Sequence, residues 1–287
     1  MTSIVLLLTM LVAPGVPEAN RTPMVTVEYP LRIGSGGLPL VEVEVAAGRR
    51  AWFVLDTAAT GTTLSTELAA SLALPAGGTT RIGTLGGSAT VATAHLTNFR
   101  LVGMPERHEL EVAVHDLAAV RRAAPEAAGI LGQDVLARYD YLLDLPRRRL
   151  RVGRFEPPPA GVVLPLGWSV GRPVVEVATA GDRVGLVLDS GADVLVMEAT
   201  AARATIGEVP VASRGRADLD THVGRRSVEV EHHASLHFDR LDLPAVPVVR
   251  LPREAWPMSP EVGLLPASLF SRVYVSARTA TAVVWAR

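Results

Sequence analysis

The chain has 287 residues, of which 48% are hydrophobic and 20% charged, the balance of a globular protein long enough for two domain-sized cores. A formal net charge of −1 gives nucleic acid no concentrated basic surface to bind. The absence of cysteine excludes disulfides, thiolate nucleophiles and Cys-ligated zinc.

In chain order, residues 4–13 form an apolar run closed by Pro14, too short to span a bilayer, with the small residues Ala13 and Gly15 flanking that proline. The run predicts a signal peptide or N-terminal apolar segment over 1–23. That places the protein in a secreted or cell-envelope (periplasmic or extracytoplasmic) location, with N-terminal tethering as the variant. Residues 24–33 and 40–46 alternate apolar and polar positions, and 51–55 is a continuous apolar run, so all three read as strands separated by Gly-containing turns. Good helix formers over 65–74 end at Pro75, predicting a short helix, and 116–124 predicts another. Residues 90–101 read as extended, and Arg147, Arg148 and Arg149 sit at a hairpin turn after Pro146. The proline run 157–159 cannot continue a helix or a central strand and is the expected linker, assigned to 156–160. Beyond it come a strand from Gly161, a helix over 198–204, and extended stretches at 228–241 and 246–251.

The chain says nearly the same thing twice. Trp52-Phe53-Val54-Leu55-Asp56-Thr57-Ala58-Ala59 and Gly185-Leu186-Val187-Leu188-Asp189-Ser190-Gly191-Ala192 each run an apolar segment into an aspartate, a hydroxyl residue and two small residues. A second matched pair follows each: Gly129-Ile130-Leu131-Gly132 and Gly263-Leu264-Leu265-Pro266. Fixed-offset similarity of this kind signals an internal duplication. Burying a carboxylate at a strand end is costly, so a chain that does it twice is expected to bring the two together for acid/base work.

Other chemistries find less support. Glu231, His232, His233, His237 and Asp239 are clustered, but alternation along a strand puts His232 on the face opposite His233 and His237, and no His-Glu-x-x-His helix flanks them. No Gly-x-Ser-x-Gly elbow is present. No metal or other cofactor is expected.

Leu188-Asp189-Ser190-Gly191-Ala192-Asp193 and Ile130-Leu131-Gly132-Gln133-Asp134 resemble the two signatures of the aspartic peptidases, both the single-lobe retropepsin-like units and the two-lobed pepsin-like enzymes. The resemblance covers nearly the whole chain after about residue 24. It implies an all-β fold with two similar acid-protease-like β-barrel lobes and a few short helices, the first over 24–155 and the second over 161–287. It also implies a monomer, since both copies lie in one chain.

The implied activity is endopeptidase hydrolysis of an extended peptide or protein substrate, with Asp56 and Asp189 sharing a proton and activating water. The alternative is a catalytically weak or inactive binding module on the same scaffold. Thr57 and Ser190 are expected to hydrogen-bond across the junction, and the small residues Ala58 and Gly191 to let backbone amides reach the carboxylates. Ala59, Ala192 and Asp193 are expected at the substrate. The glycine-rich stretch containing Gly83, Gly86 and Gly87 is the candidate flap. Two departures from the family pattern stand out. Ala58 occupies a Gly position and is expected to crowd the backbone, and Pro266 replaces a loop Gly and removes an amide donor.

Overall fold

The computed structural model describes residues 2–5, 25–85, 87–178, 183–206, 210–221, 224–238, 241–255 and 261–287. It is built almost entirely from strands with a few short helical segments, an all-β protein. Gly86, Asp239 and most of 1–23 lie outside the described residues.

In the N-terminal half, Pro39–Ala46 and Arg49–Leu55 form a hairpin whose turn is set by Gly48, at φ 73°, a conformation glycine takes without a Cβ penalty. Arg49–Leu55 then pairs in parallel with Ala127–Leu131, which pairs with Thr63–Ser65, then His108–His115, then Gly87–Leu101. Gly87–Leu101 returns to Pro39–Ala46 through Val43 opposite Leu101 and Glu44 opposite Arg100, closing a six-stranded barrel. Closure leaves these strands without a free edge.

The C-terminal half repeats that strand order: Arg172–Ala178, Arg183–Asp189, Gly263–Pro266, Leu195–Glu198, Leu241–Leu251 and Gly224–Phe238. Here the strands form a second large sheet. Among the described residues no pairing joins Gly224–Phe238 back to Arg172–Ala178, and the strands run on as one wing of a 14-stranded sheet. The strand Thr2–Val5 lies in parallel on the outer edge of this wing, against Ala217 to Asp220.

The other wing joins the halves. Val27–Pro30, Arg149–Gly153 and Asp140–Asp144 meet Arg272–Ser276, Thr281–Trp285 and Val162–Ser169, with Tyr141 opposite Val275 and Asp144 opposite Arg272 at the seam. One apolar cluster spans the seam and includes Leu55, Leu131 and Tyr141 with Leu188, Leu265 and Val273. The residues that precede both aspartates are therefore anchored in the same core.

The predicted helix over 65–74 is shorter than its sequence window. Ser65 caps Thr66–Ser71 by accepting from the Leu68 amide, and Ala73 turns left-handed at φ 47° while the Leu74 amide reaches back to the Ala69 carbonyl. This Schellman-type ending stops the helix before Pro75 has any effect. Arg148, at φ 51°, occupies the expected arginine turn.

Candidate active site

Each aspartate follows the last residues of a buried strand and is held by the turn after it. The Asp56 Oδ1 accepts from the Ala58 and Ala59 amides at 2.9 and 3.0 Å, and the Asp189 Oδ1 accepts from the Gly191 amide at 2.6 Å. Both side chains are 0% exposed. The second oxygen of each, Oδ2, is buried with no hydrogen-bond partner among the described residues. Buried polar atoms in folded proteins are rarely left so, and those that are mark chemistry or a bound group.

Thr57 and Ser190 lock the two turns together reciprocally. The Thr57 hydroxyl donates to the Leu188 carbonyl at 2.7 Å and accepts from the Ser190 amide at 2.9 Å. The Ser190 hydroxyl donates to the Leu55 carbonyl at 2.7 Å and accepts from the Thr57 amide at 3.0 Å. Each hydroxyl thus grips the opposite strand at the residue before its aspartate, and the two carboxyls end on one seam. Burial, then the neighbouring Asp189 charge, pushes the Asp56 carboxyl well above the usual carboxylate range. Burial raises Asp189 as well.

The loop strands hold these turns from below. The Asp56 amide donates to the Leu131 carbonyl at 3.1 Å, and Asp189 lies opposite Pro266 in the parallel register. Gln133 donates from Nε2 to the Thr57 carbonyl at 2.7 Å and from its amide to the Ala59 carbonyl at 2.8 Å. The Asp134 carboxylate accepts from the Thr62 amide and hydroxyl at 2.9 and 2.8 Å. Gln133 and Asp134 were visible in the sequence only as part of a loop signature. Their contacts make them positioning residues for the first turn.

The two departures leave this geometry intact. Ala58 is buried without a left-handed φ, and its amide still reaches Asp56. Pro266, at φ −64° and ψ 130°, caps the short helical turn Ala267–Leu269 as Gly132 caps Gln133–Leu136. A proline loses little at a helix start, where the amide has no intrahelical partner.

Of the substrate-side residues, Ala192 and Asp193 line a cavity of about 280 Å³ with Gly37, Leu38, Ser190 and Ala267. The Asp193 Oδ1 is buried without a partner among the described residues, and burial raises its carboxyl to about 7. Gly83 and Gly87 sit in the hairpin of Ala76–Thr84 and Gly87–Leu101, opposite Ser88 and Thr84. Its tip residue Leu85 is 1% exposed and packs in one apolar cluster with Ala58, Ala192 and Leu219. Leu219 belongs to a matching hairpin, Val211–Thr221 with Gly224–Phe238, of which the sequence had shown only 228–241 as extended. Hairpins from both halves therefore pack beside the aspartate turns.

The histidine stretch does not converge. Glu231 is held by Arg250 at 2.8 Å and Arg214 at 3.1 Å beside a buried His233, whereas His237 pairs with Asp242. Among the described residues no group of three or more His, Cys, Asp and Glu is arranged to hold a metal.

A closed barrel that delivers Asp-Thr-Ala at a strand end, backed by an Ile-Leu-Gly loop strand in parallel, is the architecture of an acid-protease-like unit. Residues 41–135 match the family model described as Aspartyl protease, which supports an aspartic peptidase unit of the retropepsin-like type. No curated protein matches the chain.

Proposed function

We propose that this protein is an aspartic endopeptidase in which Asp56 and Asp189, one from each copy of a duplicated unit, act as a single dyad. The observation that carries the reading is the reciprocal Thr57/Ser190 clasp, which puts two buried carboxyls on one seam, each with one oxygen fixed by backbone amides and the other unpartnered. Two such carboxyls share one proton, because a second charge beside the first in a dry site is strongly disfavoured. The charged member takes a proton from water as the water oxygen attacks the peptide carbonyl carbon. The protonated member gives its proton to the carbonyl oxygen, forming a tetrahedral diol. Collapse breaks the C–N bond while a proton passes to the leaving amine, and the pair returns to its starting charge.

An extended substrate fits the small residues that follow each aspartate and the sheet-like hairpins beside them, pairing through its own backbone. Side-chain selectivity would come from pockets such as the one lined by Ala192 and Asp193. We further propose a monomer, lobes over 24–155 and 161–287, and a secreted or cell-envelope location on the strength of the apolar run 4–13. Among the described residues no helix is long and apolar enough to cross a membrane.

The test incubates the full chain with a mixed peptide library from pH 3 to 7, with and without pepstatin. Cleavage is expected to vanish in D56N and in D189N. Peptide binding without cleavage at any pH would establish the binding-module alternative, and cleavage indifferent to both substitutions would remove the dyad.

A further inference from the structure

The two halves differ at one buried place beside the dyad. In the N-terminal half Leu40 faces Val54 across the hairpin, and two residues further along the same register Leu38 falls opposite Asp56. In the C-terminal half Val174 faces Val187, and continuing that register by the same two residues brings Arg172 level with Asp189. Residues opposite one another in adjacent antiparallel strands project on one face with Cβ atoms about 5 Å apart. Leu38 is 1% exposed and Arg172 is 0% exposed.

The partner changes in step. Ala127, two residues before the glycine of the first loop strand, packs in the same apolar cluster as Leu38. Glu261, two residues before Gly263 in the second loop strand, is buried and ion-paired to the Arg172 guanidinium through Nη2 and Oε2. An apolar contact in one copy is thus a buried ion pair in the other. Such a pair is commonly no more stabilising than an apolar pair of similar volume, and often less so, so stability alone gives no reason for the exchange. Its position supplies one: the guanidinium is the cation beside the two carboxyls and interacts electrostatically with both.

From this asymmetry, which rests on the dyad reading above, we infer that Arg172 is a positioning residue that fixes the single negative charge of the dyad on Asp189 and leaves the proton on Asp56, with Glu261 holding the guanidinium in place and moderating its field. The other charged groups that bear on this cluster are Asp193, in the turn after Asp189, and Arg253, whose Nη1 lies 3.4 Å from the Glu261 carbonyl. Asp193 opposes a charge on Asp189. Arg172 acts on Asp189 more strongly than Asp193 does.

The sign of each perturbation follows. An opposite charge within about 4–6 Å moves a carboxyl by about 1–3 pH units. R172L/E261A installs the Leu38/Ala127 arrangement of the other half and removes the field, so the dyad should titrate about one unit higher. E261Q leaves the guanidinium unmoderated, so the dyad should titrate lower. The experiment follows the carboxyl carbon resonances of ¹³C-labelled aspartate in the full chain from pH 2 to 9, assigned with D56N and D189N. Thermal melts confirm folding.

The expected result is that Asp189 ionises first in the wild type, that R172L/E261A moves the titration up and that E261Q moves it down. Titrations that stay in place in both variants, or an Asp56 that ionises first in the wild type, would overturn the assignment. Where cleavage is measurable, its acid limb should shift in the same two directions, a change that a merely structural ion pair would not produce. Because the titration needs no turnover, a protein that binds without cutting would fail the peptidase test and still decide this one.

Discussion

Replacing Thr57 by Val keeps the shape of the side chain and removes its hydroxyl, which isolates half of the clasp between the aspartate turns. Two backbone groups then lose their partners: the Leu188 carbonyl, at 2.7 Å from the hydroxyl, and the Ser190 amide, at 2.9 Å. Thr57 and Ser190 are 3% and 5% exposed, so water does not readily substitute. Two buried polar groups left unpaired cost about 1–3 kcal/mol each, and the added methyl returns less than about 1 kcal/mol, giving a net loss of about 1–6 kcal/mol. Against a typical total of about 5–15 kcal/mol this is large, and for a chain of this size it lowers the urea midpoint by about 1 M. Thr57→Ser keeps both hydrogen bonds and should lose only the packing of one methyl, about 1 kcal/mol.

Activity should follow the same order. T57V lets the turns drift, and a misplacement of about 1 Å costs on the order of 100-fold in rate, so kcat/KM should fall by about that factor in T57V and little in T57S. S190A removes the other two bonds, to Leu55 and to the Thr57 amide. Once either hydroxyl is gone the seam is already loosened, so the double variant should lose less than the sum, with a coupling energy of about 1 kcal/mol or more. Urea melts of the four proteins, read beside their kcat/KM values, provide the check. A T57V midpoint equal to wild type with unchanged turnover, or a strictly additive cycle, would refute the clasp as the element that joins the halves.

Burial raises Asp189, so between the ordinary aspartate range and its elevated value the folded state holds a proton that the unfolded state has lost, and stability falls as pH rises through that window. D189N should therefore melt several degrees above wild type at pH 7, and the gap should narrow towards pH 4 in a pH series of thermal melts. At Gly132 an added Cβ would lie 2.6 Å from the Gly61 backbone, so G132A must push the loop away from the first turn and cost about 1–3 kcal/mol by urea denaturation. Gly78 has nothing within 4 Å of the same atom and serves as the neutral control. Leu85→Ala weakens the docking of the hairpin tip in its apolar cluster, so deuterium uptake should rise across 82–91 while Arg183–Asp189 stays at its wild-type level.

What the sequence made legible is what local pattern encodes. The apolar runs into Asp56 and Asp189, the strand over 40–46 and the arginine turn all rest on neighbours in the chain, and the structure keeps them. What it hid depends on register. Arg172 opens a strand of ordinary composition, and Glu261 reads as one polar residue before an apolar loop. Only the pairing of Val174 with Val187 turns the first towards Asp189, and only the parallel loop strand brings the second beneath it. The N-terminal half offered the missing signal, because Leu38 and Ala127 mark the corresponding two places without charge. Where both halves place a hydroxyl residue after the aspartate, at Thr57 and Ser190, it joins the two turns. Where the C-terminal half has a buried ion pair in place of a buried apolar pair, the change falls on the difference between the two aspartates, the difference that the proposed acid/base dyad requires.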